Sequence, residues 1–412
     1  MKKILWFSNV AFTNEKIKVT GTWQIAMGQA LLDTGEVELY NVTNGNIKEY
    51  SRNEVNGIVQ WIIPNERIST NGLPSIRTQE FIQNIEQEIQ PDLVHIWGTE
   101  HYWGMLAVKG VIKSKVLLEM QGILYAYAKV FYGGLNLKEI FACTGLKEII
   151  FPKRLLYFRQ KDFVIRGKRE LKIIKGIRNV AVQSDWVRAH IQHENPQAHI
   201  YPTGMLLRNE FYNSKYIISK KESLIIFTTL SGANTHKGLH VLLRSLAILK
   251  QKYPSIKLRI GGNIIEHKFF IKDGYLTWLL HEIKKLEISD SVVWLGSLSA
   301  DEIICEMMNT SVFVVPSYVE TYCLAAAEAM MVGIPTVLSY AGALPELGVH
   351  NESALYFPVG DYMSCAWQIE QIIENEDLAN ELSNNARNYA ILRNNPITVV
   401  NKQLAIYNAI IS

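Results

Sequence analysis

Short apolar runs alternate along the chain with longer segments of helical period. In the first half "KKILWFSNV", "VELYNV", "GIVQWII", "DLVHIWG", "KVLLEMQG" and "NVAVQS" read as strands, and "TQEFIQNIEQEIQ" reads as a helix between two of them. Most of these strands are apolar at successive positions, the signature of a parallel sheet covered on both faces. The rhythm restarts with "SLIIFTTL", "KLRIGG", "VVWLG", "SVFVVPS", "PTVLS" and "ALYFPVG". Between the two runs, Asn213–Ser223 is polar, charged and aperiodic, and reads as a linker. The pattern predicts two doubly wound α/β units with a cleft between them. Ligands of such sheets bind outside the carboxyl ends of the strands, so the loops there are where chemistry is expected.

Composition narrows this modestly. The 412 residues are 48% hydrophobic and 20% charged, enough for two sizeable cores. Net charge is +3, but residues 1–215 carry 27 Lys and Arg against 20 Asp and Glu, whereas 216–412 carry 15 against 19. The halves therefore differ in sign, as expected of domains with different partners. Cys143, Cys305, Cys323 and Cys365 are scattered without a CxxC pair, which points to cytosolic free thiols rather than a zinc site or disulfides. "MKKILWFSNVAF" opens with two lysines before apolar residues, but Ser8 and Asn9 end the run too soon for a signal peptide. No stretch approaches the ~18–20 apolar residues of a membrane span. Neither GxGxxG nor GxxxxGK[ST] occurs.

One stretch concentrates the chemistry: "PSYVETYCLAAAEAMMVGIP", Pro316 to Pro335. It predicts a strand end at Pro316, then a helix of strong formers, with Glu320 before the first turn and Glu328 two turns in. At ~1.5 Å per residue their backbones lie about 12 Å apart. Paired carboxylates of glycoside hydrolases sit ~5–9.5 Å apart, so a hydrolytic dyad is disfavoured. Two carboxylates gripping separate hydroxyl-bearing parts of one extended ligand fit better, with the helix start between them for an anion. An acidic helix cap followed by a solvated glutamate is the open alternative. A second loop, "TTLSGANTHKGL", brings Ser231, Gly232, Lys237 and Gly238 to the end of a strand, where a lysine can neutralise a departing diphosphate.

The stretch 316–361 resembles the signature region of glycosyltransferase family 4, retaining enzymes of the two-Rossmann GT-B fold. Glu320, Glu328, Gly333, Pro335, Gly342, Pro345, Glu346, Gly360 and Asp361 stand in register with that pattern. The resemblance covers nearly the whole chain and is sharp over 228–361. It implies a domain 1–214 for an acceptor, a domain 215–394 for a nucleotide-sugar donor, and a last helix of about 395–412 packed back on the first domain.

The resemblance implies roles residue by residue. Glu320 and Lys237 would be catalytic, Glu320 on the sugar and Lys237 on the leaving diphosphate. Tyr322, Cys323 and Leu324 would hold the distal phosphate with backbone N–H groups, Thr321 would line the donor beside them, and Glu328 would hold the ribose. Gly21, Ser231 and Gly232 would line the donor. The donor would be a UDP- or GDP-sugar, with no metal and no further cofactor. Two departures stand out. The family's arginine ahead of the Lys-Gly pair is replaced by Ser231 or Gly232, with Arg259 and His236 as possible substitutes. The family's histidine near the end of the "KVLLEMQG" strand is replaced by Gln121, which cannot transfer protons. Thr99, Glu100, His101 and Gln121 are the acceptor-side candidates, with His101 read either as an acid/base candidate by residue type or as a satisfied structural histidine.

Finally, Leu146–Asn179 holds eleven Lys and Arg against three acids, interleaved with Phe, Tyr, Ile and Leu. A peripheral association with an anionic membrane face and a basic helix pair packed on its own domain both fit. No nucleic-acid motif accompanies the charge. The expectation is a cytoplasmic retaining glycosyltransferase acting on a glycan or lipid-diphosphate-linked acceptor in surface-polysaccharide assembly. A nucleotide-sugar epimerase, an inverting transferase and an inactive sugar-nucleotide-binding protein are the alternatives.

Overall fold

The computed structural model describes residues 1–13, 22–217, 224–262 and 273–412. Two sheets carry the chain. The first contains β1 (Lys2–Phe7), β2 (Val37–Gly45), β3 (Ser51–Val55), β4 (Ile58–Pro64), β5 (Leu93–Trp97), β6 (Val116–Glu119), β7 (Asn179–Val182) and β8 (His199–Pro202). Their order is β3-β4-β2-β1-β5-β6-β7-β8, parallel throughout except for the β3–β4 hairpin. The second contains β9 (Ile225–Thr229), β10 (Lys257–Gly261), β11 (Val292–Gly296), β12 (Val312–Val315), β13 (Thr336–Ser339) and β14 (Leu355–Phe357). Its order is β11-β10-β9-β12-β13-β14, all parallel.

Among the parallel strands each order reverses direction once, between β1 and β5 in the first sheet and between β9 and β12 in the second. At such a switch point the two flanking crossovers run to opposite faces, and a crevice opens at the strands' carboxyl ends. The loops that follow β9 and β12 are those of Lys237 and Glu320. The loop that follows β5 is that of Thr99, Glu100 and His101.

The chain divides into two compact units, 1–125 with 165–206 and 394–412, and 126–164 with 207–393. Residues 126–164 stand with the second unit, within the stretch expected as 1–214, and 394–412 stand with the first. Residues 126–164 join the second unit because Phe131, Leu135, Cys143 and Leu156 are buried in its core, among Leu242, Leu246, Ile260 and Leu279. Near the next crossover, Tyr216 is buried and its hydroxyl donates to the Thr310 carbonyl (2.6 Å). Residues 218–223 of the expected linker lie outside the described residues.

In the first unit the core is aromatic: Trp6, Phe7, Trp97 and Trp103 are fully buried. The last helix, Pro396–Ile411, belongs to this unit. Its Tyr407 hydroxyl meets His95 Nδ1 (2.8 Å) and accepts from Trp6 Nε1 (3.1 Å), so His95 is a core residue, as its place inside β5 predicts. In the second unit β12 and β13 are buried at every position, and the helix Leu324–Val332 packs on both.

Candidate active site

The site is built on two loops locked together by their glycines. Lys237 ends a single 3-10 turn, Thr235–Lys237, and Gly238 follows at φ +70. A Cβ on Gly238 would lie 2.0 Å from the Pro316 carbonyl oxygen, so only glycine lets the lysine loop close on the end of β12. The Tyr318 N–H donates to the His236 carbonyl (2.8 Å) and ties the same two loops. Gly342 does the corresponding work from the loop after β13. Its φ is +55, a Cβ there would lie 2.1 Å from the Glu320 carbonyl oxygen, and that carbonyl accepts from the Ala343 N–H (2.8 Å).

Those locks bring Lys237 and Glu320, 83 residues apart, into an ion pair of 2.7 Å. Glu320 is buried, and the same Oε1 accepts from the Ser317 hydroxyl (2.7 Å). Both donors sit on one oxygen, which leaves Oε2 for a ligand hydroxyl. Burial works against the Lys237 ammonium, but Glu320 beside it more than offsets this and holds its pKa above the ordinary lysine value. The lysine is charged at neutral pH.

The helix begins at Leu324, rather than directly after Glu320 as expected. Cys323 stands in the left-handed region (φ +76, ψ 79), unusual for a residue with a side chain. That turn halts the helix there and leaves the first-turn N–H groups without intrahelical acceptors. Such strain costs on the order of 1–3 kcal/mol and persists only where surrounding contacts enforce it. Thr321 and Tyr322 are buried just before the turn.

Glu328 lies in the helix as predicted, and it is buried rather than solvated. Both its oxygens accept from Arg208, Nε to Oε1 and Nη2 to Oε2, each at 2.7 Å. Burial raises its pKa even though the guanidinium opposes the rise. Arg208, whose guanidinium also lies 4.6 Å from the Phe211 ring centroid, carries no sequence signal that marks it for this partner. A bidentate carboxylate retains lone pairs for a further hydroxyl.

Of the two candidate substitutes for the missing arginine, neither is available. Arg259 makes a bidentate pair with Glu306 (2.6 and 2.7 Å). His236 is buried, stacked on Tyr127 (5.7 Å), and burial followed by the Lys237 charge pulls its pKa down to about 4. It is neutral. The cation that does reach this loop is Arg159, whose Nη2 donates to Asn234 Oδ1 (3.1 Å) while Nη1 contacts Asp273 (3.3 Å). Gly232, at φ +151, forms the turn before Asn234, with Ser231 exposed beside it. Gly21 lies outside the described residues.

His240 resembles His236: burial lowers its pKa to about 4, and its ring bonds Tyr275 Oη and the Gly133 carbonyl (both 2.8 Å). The unfolded chain protonates these imidazoles near 6.5, whereas the fold refuses the proton until about pH 4. Between those values the unfolded state binds more protons, so stability is full above pH 6.5 and falls as pH drops. Each ring is expected to contribute on the order of 1–3 kcal/mol to this loss. Urea midpoints measured from pH 7.5 to 4.5 check it, and a flat profile contradicts it.

On the first unit, Thr99, Glu100, His101 and Gln121 sit at the carboxyl ends of β5 and β6. Thr99 donates to Glu170 Oε1 (2.5 Å), and the Tyr125 N–H donates to Glu170 Oε2 (3.0 Å). Glu170 was not singled out by sequence; burial lifts its pKa to about 7. Burial also raises the Glu100 carboxyl. The Arg169 guanidinium donates to the Glu100 carbonyl (3.2 Å). His101 is held below the ordinary histidine value by burial, then by Arg166 and Arg169, so it is a neutral imidazole rather than a ready acid.

In sum, the second unit gathers a buried lysine–carboxylate pair, a carboxylate oxygen left open, and a helix start. That set accommodates an anion next to a hydroxyl-bearing group.

Comparison with known proteins agrees with this chemistry. Residues 211–389 match the family Glycosyl transferases group 1. The glycosyltransferase YqgM of Bacillus subtilis is 25% identical over 174 residues, 42% of this chain and 46% of its own length. The D-inositol 3-phosphate glycosyltransferase of Pseudarthrobacter chlorophenolicus is 31% identical over 121 residues, 29% of this chain and 27% of its own. The match thus spans less than half the length of these curated relatives. Among solved structures, sucrose-phosphate synthase of Thermosynechococcus elongatus superposes with a TM-score of 0.73 at 15% identity, over 99% of both chains. Anabaena HepE in complex with UDP and glucose does so at 0.67 and 15%, over 99% of this chain and 100% of its own. Residues 211–389 are therefore similar to the family Glycosyl transferases group 1, within a chain whose two Rossmann-like sheets have the GT-B fold.

Proposed function

We propose that the protein is a retaining glycosyltransferase that moves a sugar from a UDP- or GDP-sugar to a saccharide or lipid-linked saccharide acceptor. The observation that carries this is the buried Lys237–Glu320 pair at the second sheet's switch point, beside the start of helix Leu324–Val332. The donor's diphosphate would lie between the lysine and the N–H groups of Tyr322, Cys323 and Leu324. Its sugar would bond Glu320 Oε2, and its ribose would share Glu328 with Arg208. Arg159, next to the Ser231–Asn234 turn, would supply a second positive charge.

The acceptor would use the Thr99–Gln121 surface of the first unit. Its hydroxyl would attack on the face the diphosphate leaves, and a leaving-group oxygen would take the proton. That arrangement asks no protein group for a base, consistent with a neutral, arginine-flanked His101 and with glutamine at 121. Fixed charges at the leaving group then supply most of the rate, and no metal is required. We place the enzyme in the cytoplasm, at the membrane face where surface polysaccharides are assembled.

The test is a panel of nucleotide sugars offered with saccharide acceptors, read by released nucleoside diphosphate and by the anomer formed, using NMR. A product with the donor's anomeric configuration is expected. An inverted product rules out the retaining assignment, and epimerised donor without transfer rules out the transferase.

A further inference from the structure

A segment outside the donor site shows an unusual surface. Eight of the twenty-two exposed large apolar side chains in the described residues fall between residues 137 and 158. They include Phe141, Leu146, Ile149, Ile150, Phe151 and Tyr157, and Leu146 is 79% exposed. The segment is a run of short helices, Leu137–Ala142, Leu146–Ile150 and Pro152–Arg154, leading into the helix Leu156–Gly176. Isolated exposed leucines mean nothing, but apolar side chains grouped like this mark an interaction surface.

The charges decide which kind. Lys138, Lys153, Arg154 and Lys161 are exposed and interleaved with the apolar residues. Both acids of 137–161 are turned inward. Glu139 pairs with Arg244 and caps its own helix at the Asn136 N–H (2.8 Å). Glu148 is buried, accepting from the Gly145 and Gly274 N–H groups (2.9 and 3.1 Å). The outer face is left with apolar side chains and cations, and the segment's rigid attachment comes from Phe131, Leu135, Cys143 and Leu156 in the core beneath.

We propose that residues 137–161 form a docking surface for an anionic lipid bilayer. The apolar side chains would enter the headgroup–acyl boundary, and the lysines and Arg154 would meet lipid phosphates. A protein partner of ordinary composition would leave those cations unpaired against apolar contacts, whereas a bilayer offers both chemistries at the depth each needs. Among the described residues no helix is long and apolar enough to cross a membrane, so the contact would be peripheral. The surface lies wholly in the second unit, narrower than and displaced from the basic stretch 146–179. This inference does not depend on the donor-site assignment.

The test is flotation of the full chain with vesicles of phosphatidylglycerol and phosphatidylcholine, and with phosphatidylcholine alone. Wild type is expected to float with the anionic vesicles and to be released by salt. The triple variant Ile149→Ser, Ile150→Ser, Phe151→Ser should partition at least about tenfold more weakly, as should Lys153→Ser with Arg154→Ser. These side chains are exposed, and an unchanged melting temperature confirms that the variants are folded. Wild type that stays with the soluble fraction, or variants that float equally well, overturns the proposal. So does a concentration-dependent dimer that the triple variant abolishes while vesicles bind neither protein; that result assigns the face to a second copy of the chain.

Discussion

Replacing Lys237 with alanine is expected to lower sugar transfer by about 10²–10³-fold, the range for removing one preorganised charge at a developing anion. The lysine is held at 2.7 Å from Glu320 before any ligand arrives, so its position requires no reorganisation during the reaction. The substitution has a second consequence. It leaves the buried Glu320 carboxylate with the Ser317 hydroxyl as its remaining donor on Oε1. Loss of stability and loss of catalysis must therefore be separated. Adding Glu320→Gln to Lys237→Ala removes the stranded charge and should recover most of the melting temperature while transfer stays low. Initial rates of nucleoside diphosphate release and calorimetric melts on the single and double variants give both quantities. Transfer within about threefold of wild type in Lys237→Ala would remove the lysine from the mechanism.

Arg208→Ala is expected to be the most destabilising change at the site. Breaking a buried, bidentate ion pair from one side costs about 3–5 kcal/mol, because the other charge stays behind unpaired. Glu328 is that charge: its pKa is raised by burial even with the guanidinium present. The sign of the pH dependence follows. A folded-state carboxyl pKa above the unfolded value means the fold binds the proton more readily, so stability is lost as pH rises through the folded value. The defect of Arg208→Ala should thus be largest at neutral and higher pH and should shrink as pH falls toward the usual glutamate range. Arg208→Ala with Glu328→Gln should recover a large part of the loss. Thermal unfolding of wild type and the two variants at pH 7.5 and 5.0 checks this, and equal melting temperatures for wild type and Arg208→Ala would mean that the pair contributes nothing net.

Much of this geometry is legible in local sequence. Buried parallel strands announce themselves as continuous apolar runs, and the Lys237 and Glu320 loops sit where such runs end. The spacing of Glu320 and Glu328 separates them along one helix start whatever surrounds them. The antiparallel strand β3 has no apolar run, since Ser51, Arg52, Asn53 and Glu54 are exposed. Its signal is the Asn56–Gly57 pair, both at positive φ (+51 and +78), the two-residue hairpin turn that neighbouring polar residues obscure. β8 is similarly faint: it is four residues long, partly exposed at the sheet's edge, and ends at Pro202.

Other features depend on distant partners and have no local mark. Arg208 meets Glu328 across 120 residues of chain. Residues 126–164 join the second unit through side chains that could have been buried in either sheet's core. Gly133 reports the choice, since a Cβ there would lie 2.2 Å from the Thr235 carbonyl oxygen beside Lys237, but a glycine pair in a loop names no partner. The same excursion brings Arg159 to Asn234, so the cation absent ahead of Lys237 in sequence reaches the loop from elsewhere.

The most direct test of the donor site is calorimetric titration of UDP- and GDP-sugars into wild type and Lys237→Ala. One nucleotide sugar is expected to bind wild type at one site per chain, and to bind Lys237→Ala at least about tenfold more weakly, the loss of one charge-assisted contact to phosphate. Equal affinity for the two proteins, or no binding of any nucleotide sugar to wild type, would contradict a donor site built on Lys237 and Glu320.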